Sequence, residues 1–307
     1  VIPPQTLPRA VVEVIEGYTG AIADALSVQG PLNVQFAVKG SQVFVIEANP
    51  RASRTVPFVS KATGVPLAGA AARVMAGSTL AELRAEGWLR PPVEGGHVSV
   101  KEAVLPFDRF PDADTLLGPE MRSTGEVMGI DATFGWAFAK SQAAAGGALP
   151  ASGTVFLSLA DRDKPTGLAV ARRFVQLGFT LAATSGTAAY FQAAGVPVET
   201  VVAKVGEPGD NAVELIRSGR INLVVNTPRG RGPRADGAYI RRAANQHRVS
   251  CVTTVAAARA AAAGIAERAR QPLSVRSLQE YHLHETQAAE QLHLRSGQAP
   301  SQLPLPS

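Results

Sequence analysis

LNVQFAVKGSQVFVIEANP, residues 32 to 50, has the pattern of two β-strands joined by a short loop. β-Branched and aromatic residues recur in both halves, and the glycine and serine between them are typical of a tight turn. A loop centred on Ser41 predicts an antiparallel hairpin whose register is fixed by its apolar face. The apolar pairs predicted on that face are Val34 with Ala48, Phe36 with Ile46, and Val38 with Phe44.

The opposite face of the same hairpin carries oxygen-bearing side chains. The register sets Gln35 across from Glu47, with Asn49 one step along and Arg51 just beyond. Mg²⁺ prefers hard oxygen ligands and commonly takes one or two carboxylates, while arginine binds phosphate oxygens. Spacing alone leaves two interpretations open: a metal and phosphate site, or a solvated strand face that ends at the Asn-Pro turn.

Around this hairpin, the first half of the chain mixes helices with strands. The predicted elements are a helix over 10–28, a helix over 66–86 interrupted near Gly77, a strand over 97–107, a turn-rich segment over 117–129 and an amphipathic helix over 131–144. The small residues of 143–153, which include a proline, predict a linker. We therefore expect a first domain over 1–142.

Beyond the linker, strand and helix patterns alternate five times. Apolar runs at 154–160, 179–184, 198–204, 221–227 and 249–254 are each followed by a helical pattern. Five such βα units predict an open, doubly wound parallel sheet over 154–275. The fold class is α/β, and residues 286–307, rich in Pro and Ser, are expected to form a disordered tail.

Composition excludes several classes of protein. The single Cys251 allows neither a disulfide framework nor a cysteine metal cluster. A net charge of +5 could indicate nucleic acid, but the arginines concentrate between Arg229 and Arg248, and aromatics make up only 6% of residues. No apolar run is long enough to cross a bilayer. We expect a soluble, cytoplasmic protein that binds anionic small molecules, with neither nucleic acid nor membrane as partner.

Polar residues follow the predicted strands of the second domain. Because ligands of open α/β sheets bind beyond the carboxyl ends of the strands, these residues predict a site for a phosphate monoester. Singly, each could instead cap a helix, form a turn or lie in solvent. The candidates are Lys164, Thr184, Thr187, Lys204, Asn226 and Thr227.

Two long stretches carry a family resemblance. The segment from Leu32 to Gly77 resembles the end of the second ATP-grasp domain in the large subunit of carbamoyl phosphate synthetase, and KEAVLPFDRFPDADTLLGPEMRSTGEVMG continues it. The second half resembles that family's methylglyoxal synthase-like regulatory domain. The likeness covers almost the whole chain apart from the tail. It implies a partial ATP-grasp lobe followed by an allosteric domain.

The resemblance also implies residue roles. The family's ligands for Mg²⁺ or Mn²⁺ fall on Gln35, Glu47 and Asn49, and its catalytic-site arginine, aimed at the phosphates of the substrate ATP, falls on Arg51. The resemblance also places Glu102 and Thr124 in the region where an effector and the domain interface meet in some members of the family. Glu102 could equally be a surface residue in an ion pair with the neighbouring Lys101.

In the second domain the same family binds nucleotide monophosphates such as UMP, and its contacts fall on the six candidate residues at the strand ends. Methylglyoxal synthase itself is the alternative enzyme. Asp161 and Asp163 lie in the first βα loop, but the sequence has no histidine between residues 98 and 246 for the proton abstraction that this enzyme performs. We therefore interpret the domain as a binding module.

The implied function is formation of carbamoyl phosphate from bicarbonate, glutamine-derived ammonia and ATP, for pyrimidine and arginine synthesis. The implied partners are the rest of the large subunit and the glutamine amidotransferase small subunit. Because the glycine-rich flap and the phosphate-binding lysine are expected upstream of Val1, the chain alone should be inactive. The alternatives are a detached, non-catalytic nucleotide-effector-binding protein, or a piece of a longer sequence.

Overall fold

The computed structural model describes residues 1–89, 96–110, 115–118, 120–203, 210–228 and 235–283. These residues divide into two compact units. The first unit is Val1–Ser99 together with the described residues from Val275 onward, and the second unit is Val100–Ser274. The predicted tail lies outside the described residues.

The helices and strands follow the sequence patterns closely in the second half and less closely in the first. The elements that precede the five-stranded sheet are α1 Arg9–Ala25, β1 Asn33–Lys39, β2 Gln42–Asn49, α2 Thr55–Thr63, α3 Leu67–Met75, α4 Leu80–Ala85, β3 Val98–Val104, β4 Gly125–Asp131 and α5 Phe134–Ala144. The remaining elements are β5 Thr154–Ser158, α6 Lys164–Gln176, β6 Thr180–Thr184, α7 Ser185–Ala193, β7 Thr200–Val202, α8 Ala212–Arg217, β8 Leu223–Asn226, α9 Ala235–Gln246, β9 Ser250–Val252 and α10 Val255–Arg270.

β1 and β2 form the predicted antiparallel hairpin, with one irregularity in its register. Gln35 pairs with Glu47 as predicted, but a bulge follows and leaves Ile46 as an extra residue on β2. Beyond the bulge the predicted partners are wrong: Phe36 pairs with Val45. The turn contains two residues, with Gly40 in the left-handed region at φ 63°. The correct pairs are Val34 with Ala48, Phe36 with Val45 and Val38 with Val43.

The segment predicted to be turn-rich contains strand β4, which pairs with β3. Glycine lets helix α5 approach this strand, because a Cβ at Gly129 would lie 1.9 Å from the carbonyl oxygen of Ala137. The same helix approaches α10 closely at Gly135, where a Cβ would lie 2.8 Å from the Ala263 carbonyl oxygen. Helix α5 is therefore buried on nearly all sides instead of having one exposed polar face.

Residues 143–153, predicted as a linker, lie within the second unit and pack against its other residues. Leu149 is buried, and its carbonyl accepts a hydrogen bond from Arg268. The Ser250 hydroxyl donates to the carbonyl of Ala148 over 3.1 Å. This segment thus joins β4 and α5 to the five-stranded sheet within one compact unit.

The five predicted βα units form a parallel sheet with strand order β7-β6-β5-β8-β9. Its central strands are fully buried, as shown by Phe156 and Val224. The chain winds from β5 towards β7 and then returns to add β8 on the other side. The sheet therefore has a topological switch point between β5 and β8, where α/β proteins bind ligands. Among the described helices, none is long and apolar enough to span a membrane.

Candidate functional sites

The hairpin brings its predicted polar residues to one face. Gln35 and Glu47 are cross-strand partners, and Asn49, two residues further along β2, lies on the same face. The Asn49 side chain donates from Nδ2 to Glu47 Oε1 over 2.9 Å. Arg51 donates from Nη2 to Asn49 Oδ1 over 3.5 Å and from Nη1 to the Ala52 carbonyl over 3.1 Å. A carboxylate, two amides and a guanidinium thus share one surface.

These donors fit a hard divalent cation. They supply one carboxylate and two amide oxygens, a set that Mg²⁺ accepts when water and substrate phosphate complete its coordination. The hydrogen bond from Asn49 uses Oε1 of the exposed Glu47, and the second carboxylate oxygen can coordinate a cation. Within the described ranges there is no cluster of three or more histidine, cysteine, aspartate and glutamate side chains that could hold a metal by itself. The metal-ligand roles therefore remain a prediction.

In the second unit, the carboxyl ends of β5, β6 and β8 lie side by side because these strands are neighbours in the sheet. We call the polar side chains at these ends the rim. The described rim residues are Lys164, Thr184, Thr187, Asn226 and Thr227. Lys204, predicted to join them, lies outside the described residues, as does the arginine-rich loop at 229–234.

Lys164 supplies the positive charge of the rim. Its side chain is only 12% exposed, and its Nζ lies 2.7 Å from Oδ1 of the exposed Asp161. The same ammonium lies near the start of α7, since a Cβ on Gly186 would be 3.4 Å from it. An anion at this position would meet both the lysine and the free N–H groups of a helix N-terminus.

The buried threonines of the rim hold the end of β5. Thr187 Oγ1 accepts from the backbone N–H of Leu159 over 3.1 Å and from the Thr184 hydroxyl over 3.2 Å. Thr227 Oγ1 accepts from the backbone N–H of Ala160 over 2.8 Å. Because these oxygens act as acceptors, the hydrogen of each hydroxyl is what Thr187 and Thr227 can offer to a ligand.

One rim contact involves a residue that the sequence analysis did not identify. Arg241 of α9 is buried, and its Nη1 donates to Asn226 Oδ1 over 2.8 Å. The available signal was weak. The apolar residues Ile240, Ala243 and Ala244 flank Arg241 at helical spacing, which would suggest a core-facing position.

The predicted interface residues lie on β3 and just before β4. Glu102 accepts a hydrogen bond from Gln142 Nε2 over 2.8 Å, and burial raises the pKa of its carboxyl group although hydrogen bonds from Ala103 and Gln142 oppose the rise. Lys101 forms its ion pair with Glu126, Nζ to Oε1 3.1 Å. The Thr124 backbone N–H donates to the Val104 carbonyl over 2.9 Å.

Two family models match the chain. Residues 1–83 match the ATP binding domain of the carbamoyl-phosphate synthase L chain, and residues 166–253 match the MGS-like domain. The first range includes the hairpin and its polar face. The second range runs from the start of α6 to the end of the parallel sheet, and includes the rim residues of β6 and β8.

Similar proteins are carbamoyl phosphate synthase large chains. The chain is 53% identical over 298 residues to that of Mycobacterium bovis, 52% over 287 residues to that of Rubrobacter xylanophilus and 49% over 281 residues to that of Methanothrix thermoacetophila. These alignments cover 92%, 93% and 92% of this chain but only 27%, 27% and 26% of the relatives. The chain thus spans about a quarter of the length of the curated relatives that it matches. With both family domains present in the order described above, the chain belongs to the carbamoyl phosphate synthase large chain family.

Proposed function

We propose that this chain contributes part of an enzyme that forms carbamoyl phosphate from bicarbonate, glutamine-derived ammonia and ATP in the cytoplasm. The rest of a large chain and a glutamine amidotransferase small subunit would be its partners. The observation that supports this most directly is the shared face of Glu47, Asn49 and Gln35 within the range that matches the ATP binding domain. Alone, the chain should be inactive.

In this proposal the hairpin binds the phosphates of ATP. Glu47, Asn49 and Gln35 would hold Mg²⁺ or Mn²⁺ through oxygen atoms, and Arg51 would bind a phosphate oxygen. The bound cation would neutralise charge on the transferred phosphoryl group, a reaction that depends chiefly on positioning and electrostatic stabilisation. The hydrogen bonds that join Arg51 to Asn49 and Asn49 to Glu47 keep these groups on the same surface.

The second unit would bind a nucleotide monophosphate effector such as UMP. Its rim offers an ammonium group, hydroxyl hydrogens and an amide at the switch point of the sheet, and all of these can donate to phosphate oxygens. Lys204 is also part of this proposal, although it lies outside the described residues. Nothing in the rim supplies the histidine that a methylglyoxal synthase would need.

The hairpin part is tested by mixing this chain with the amino-terminal remainder of a large chain and its small subunit, and measuring carbamoyl phosphate formation. Substitutions around a metal site commonly cost about 10- to 100-fold, so Glu47→Ala should lower the rate by at least about 100-fold. Gln42→Ala, an exposed change on the same strand, is the matched control and should have little effect. Equal rates for the two variants would contradict the proposed metal role.

The effector part is tested separately by calorimetry with UMP and with ATP and Mg²⁺. Binding of UMP by the chain, together with restored synthesis in the mixture, supports the proposed enzyme. Binding of UMP without any restored synthesis would support the alternative, a nucleotide-effector-binding protein.

A further inference from the structure

The buried pair of Arg241 and Asn226 lies behind the rim. Asn226 is the last residue of β8 and is 4% exposed, while Arg241 on α9 is 3% exposed. The Nη1 of Arg241 lies 2.8 Å from Asn226 Oδ1. Burying a guanidinium costs free energy unless it is hydrogen-bonded, and the bond to Asn226 at the end of β8 is one of the contacts that offset this cost.

This contact fixes the orientation of the Asn226 amide. The oxygen and nitrogen of a side-chain amide are hard to tell apart by shape. Arginine, however, has only donors, so the group that faces Nη1 must be the acceptor oxygen. The amide nitrogen of Asn226, with its two hydrogens, is therefore the part left for other partners.

Gly237 makes room for the pair. It lies one helical turn before Arg241 on α9, and a Cβ at this position would be 3.0 Å from Arg241 Nη1 and 3.4 Å from Asn226 Oδ1. The first distance is tighter than ordinary van der Waals contact, so a larger residue would push the guanidinium away from the amide. The absence of a side chain at Gly237 thus leaves the space that the hydrogen bond between Arg241 and Asn226 occupies.

The charge of Arg241 also changes what Asn226 can bind. A charged donor on Oδ1 polarises the amide, which makes its N–H groups stronger donors in a buried setting. Two cationic side chains therefore lie at this edge of the sheet: Arg241 beside Asn226, and Lys164, which pairs with the exposed Asp161 and whose Nζ lies at the start of α7 on the other side of β5. Both effects favour a ligand rich in acceptor oxygens.

We propose that Arg241 is a positioning residue of the rim: it holds Asn226 as a hydrogen-bond donor and thereby makes the site selective for a phosphate-bearing anion. This inference rests on the proposed effector function of the second unit. Arg241 acts through its hydrogen bond to Asn226, and Gly237 leaves the space for that bond.

The test is calorimetric titration of the full chain and its variants with UMP. Asn226→Asp keeps an oxygen for Arg241 but replaces the donor by a negatively charged acceptor, so the affinity for UMP should fall by at least about 100-fold while the protein remains folded. Gly237→Ala should weaken binding by about 10-fold by displacing the guanidinium. Arg241→Met should do the same, and Arg241→Lys should restore most of the affinity because it retains a charged donor.

The outcomes separate this inference from the function on which it rests. If the unaltered chain binds UMP and Asn226→Asp binds it equally well, Arg241 does not set the ligand preference, while the effector function stands. If Arg241→Met lowers the unfolding midpoint without changing UMP affinity, the role of Arg241 is structural and the inference is wrong. If the unaltered chain does not bind UMP, the proposed effector function fails and this inference fails with it.

Discussion

The two-stranded sheet of the first unit and the five-stranded sheet of the second unit differ in how their apolar residues are covered. On the hairpin, Phe44 is 48% exposed and Ile46 is 62% exposed, whereas Phe156 and Val224 of the parallel sheet are 0% exposed. A two-stranded hairpin is marginally stable in water unless other structure packs against it. The parallel sheet, by contrast, is covered by helices on both faces.

This difference bears on how each candidate site is held in place. The rim is supported by hydrogen bonds within the second unit, such as those accepted by Thr187 and Thr227 from the end of β5. The polar face of the hairpin is supported mainly by contacts of the partly buried Asn49 with the exposed Glu47 and Arg51. The described rim residues are thus held by contacts inside the second unit, whereas apolar residues of the hairpin such as Phe44 and Ile46 remain about half exposed or more.

The largest expected effect comes from truncating a phenylalanine in each sheet. Phe156→Ala removes a fully buried ring from the core of the second unit and should lower its free energy of unfolding by about 3–5 kcal/mol. Phe44→Ala, the matched change on the hairpin, should change the free energy of unfolding by no more than about 1 kcal/mol, because Phe44 is already about half exposed in the folded state. Urea unfolding followed by hydrogen exchange and mass spectrometry reports each unit separately.

Hydrogen exchange in the unaltered chain compares the stability of the two sheets directly. Amides of β1 and β2 should exchange at least about 1,000-fold faster than those of β5 and β8 in the unaltered chain. Similar protection in the two sheets, or an equal loss of stability in the two variants, would show that the hairpin is as well supported as the parallel sheet.

The second half of the fold was predictable because its buried strands are short apolar runs, each followed by a helical pattern. Two features of the first half were not. The bulge at Ile46 depends on how the strands pair after Gln35, and an unbroken apolar run such as VFVI gives no signal for it. β4 contains Gly125 and Gly129, which favour turns locally, but Gly129 here allows α5 to pack closely.

The candidate sites were predictable to different degrees. Gln35, Glu47 and Asn49 share a face because alternation along a strand dictates it, so the sequence predicted their grouping correctly. Arg241 was missed because an arginine on a helix is ordinarily exposed, and only the tertiary contact with Asn226 shows otherwise.

A smaller effect is expected from one hydroxyl of the rim. Thr227→Val keeps the shape of the side chain but leaves the buried N–H of Ala160 without its acceptor, which should lower the stability of the second unit by about 1–3 kcal/mol. Thr227→Ser retains the hydroxyl and is the control. Urea midpoints of the three proteins provide the measurement, and equal midpoints for the valine and serine variants would show that this bond does not support the rim.

The smallest expected effect is a pH dependence of the stability of the second unit that comes from Glu102. Glu102 is a half-buried carboxylate, whereas Glu47 on the hairpin is exposed. Burial raises the pKa of Glu102 in the folded state above its ordinary value. The folded state therefore favours the protonated form of Glu102. The contribution of this shift to the free energy of unfolding is fully present at pH values below the ordinary glutamate pKa, and it is lost as pH rises through the raised pKa. At neutral pH the folded protein holds a partly desolvated charge that the unfolded chain exposes to water.

Glu102→Gln removes that charge and keeps an oxygen that can accept the hydrogen bond from Gln142. The variant should match the unaltered chain in urea midpoint near pH 4 and exceed it near pH 7, with the difference growing between these values. Glu47→Gln, in the other unit, should leave the pH profile of the second unit unchanged. A constant difference between Glu102→Gln and the unaltered chain at every pH would mean that the variant acts through packing, and that the buried carboxylate does not distinguish the two units.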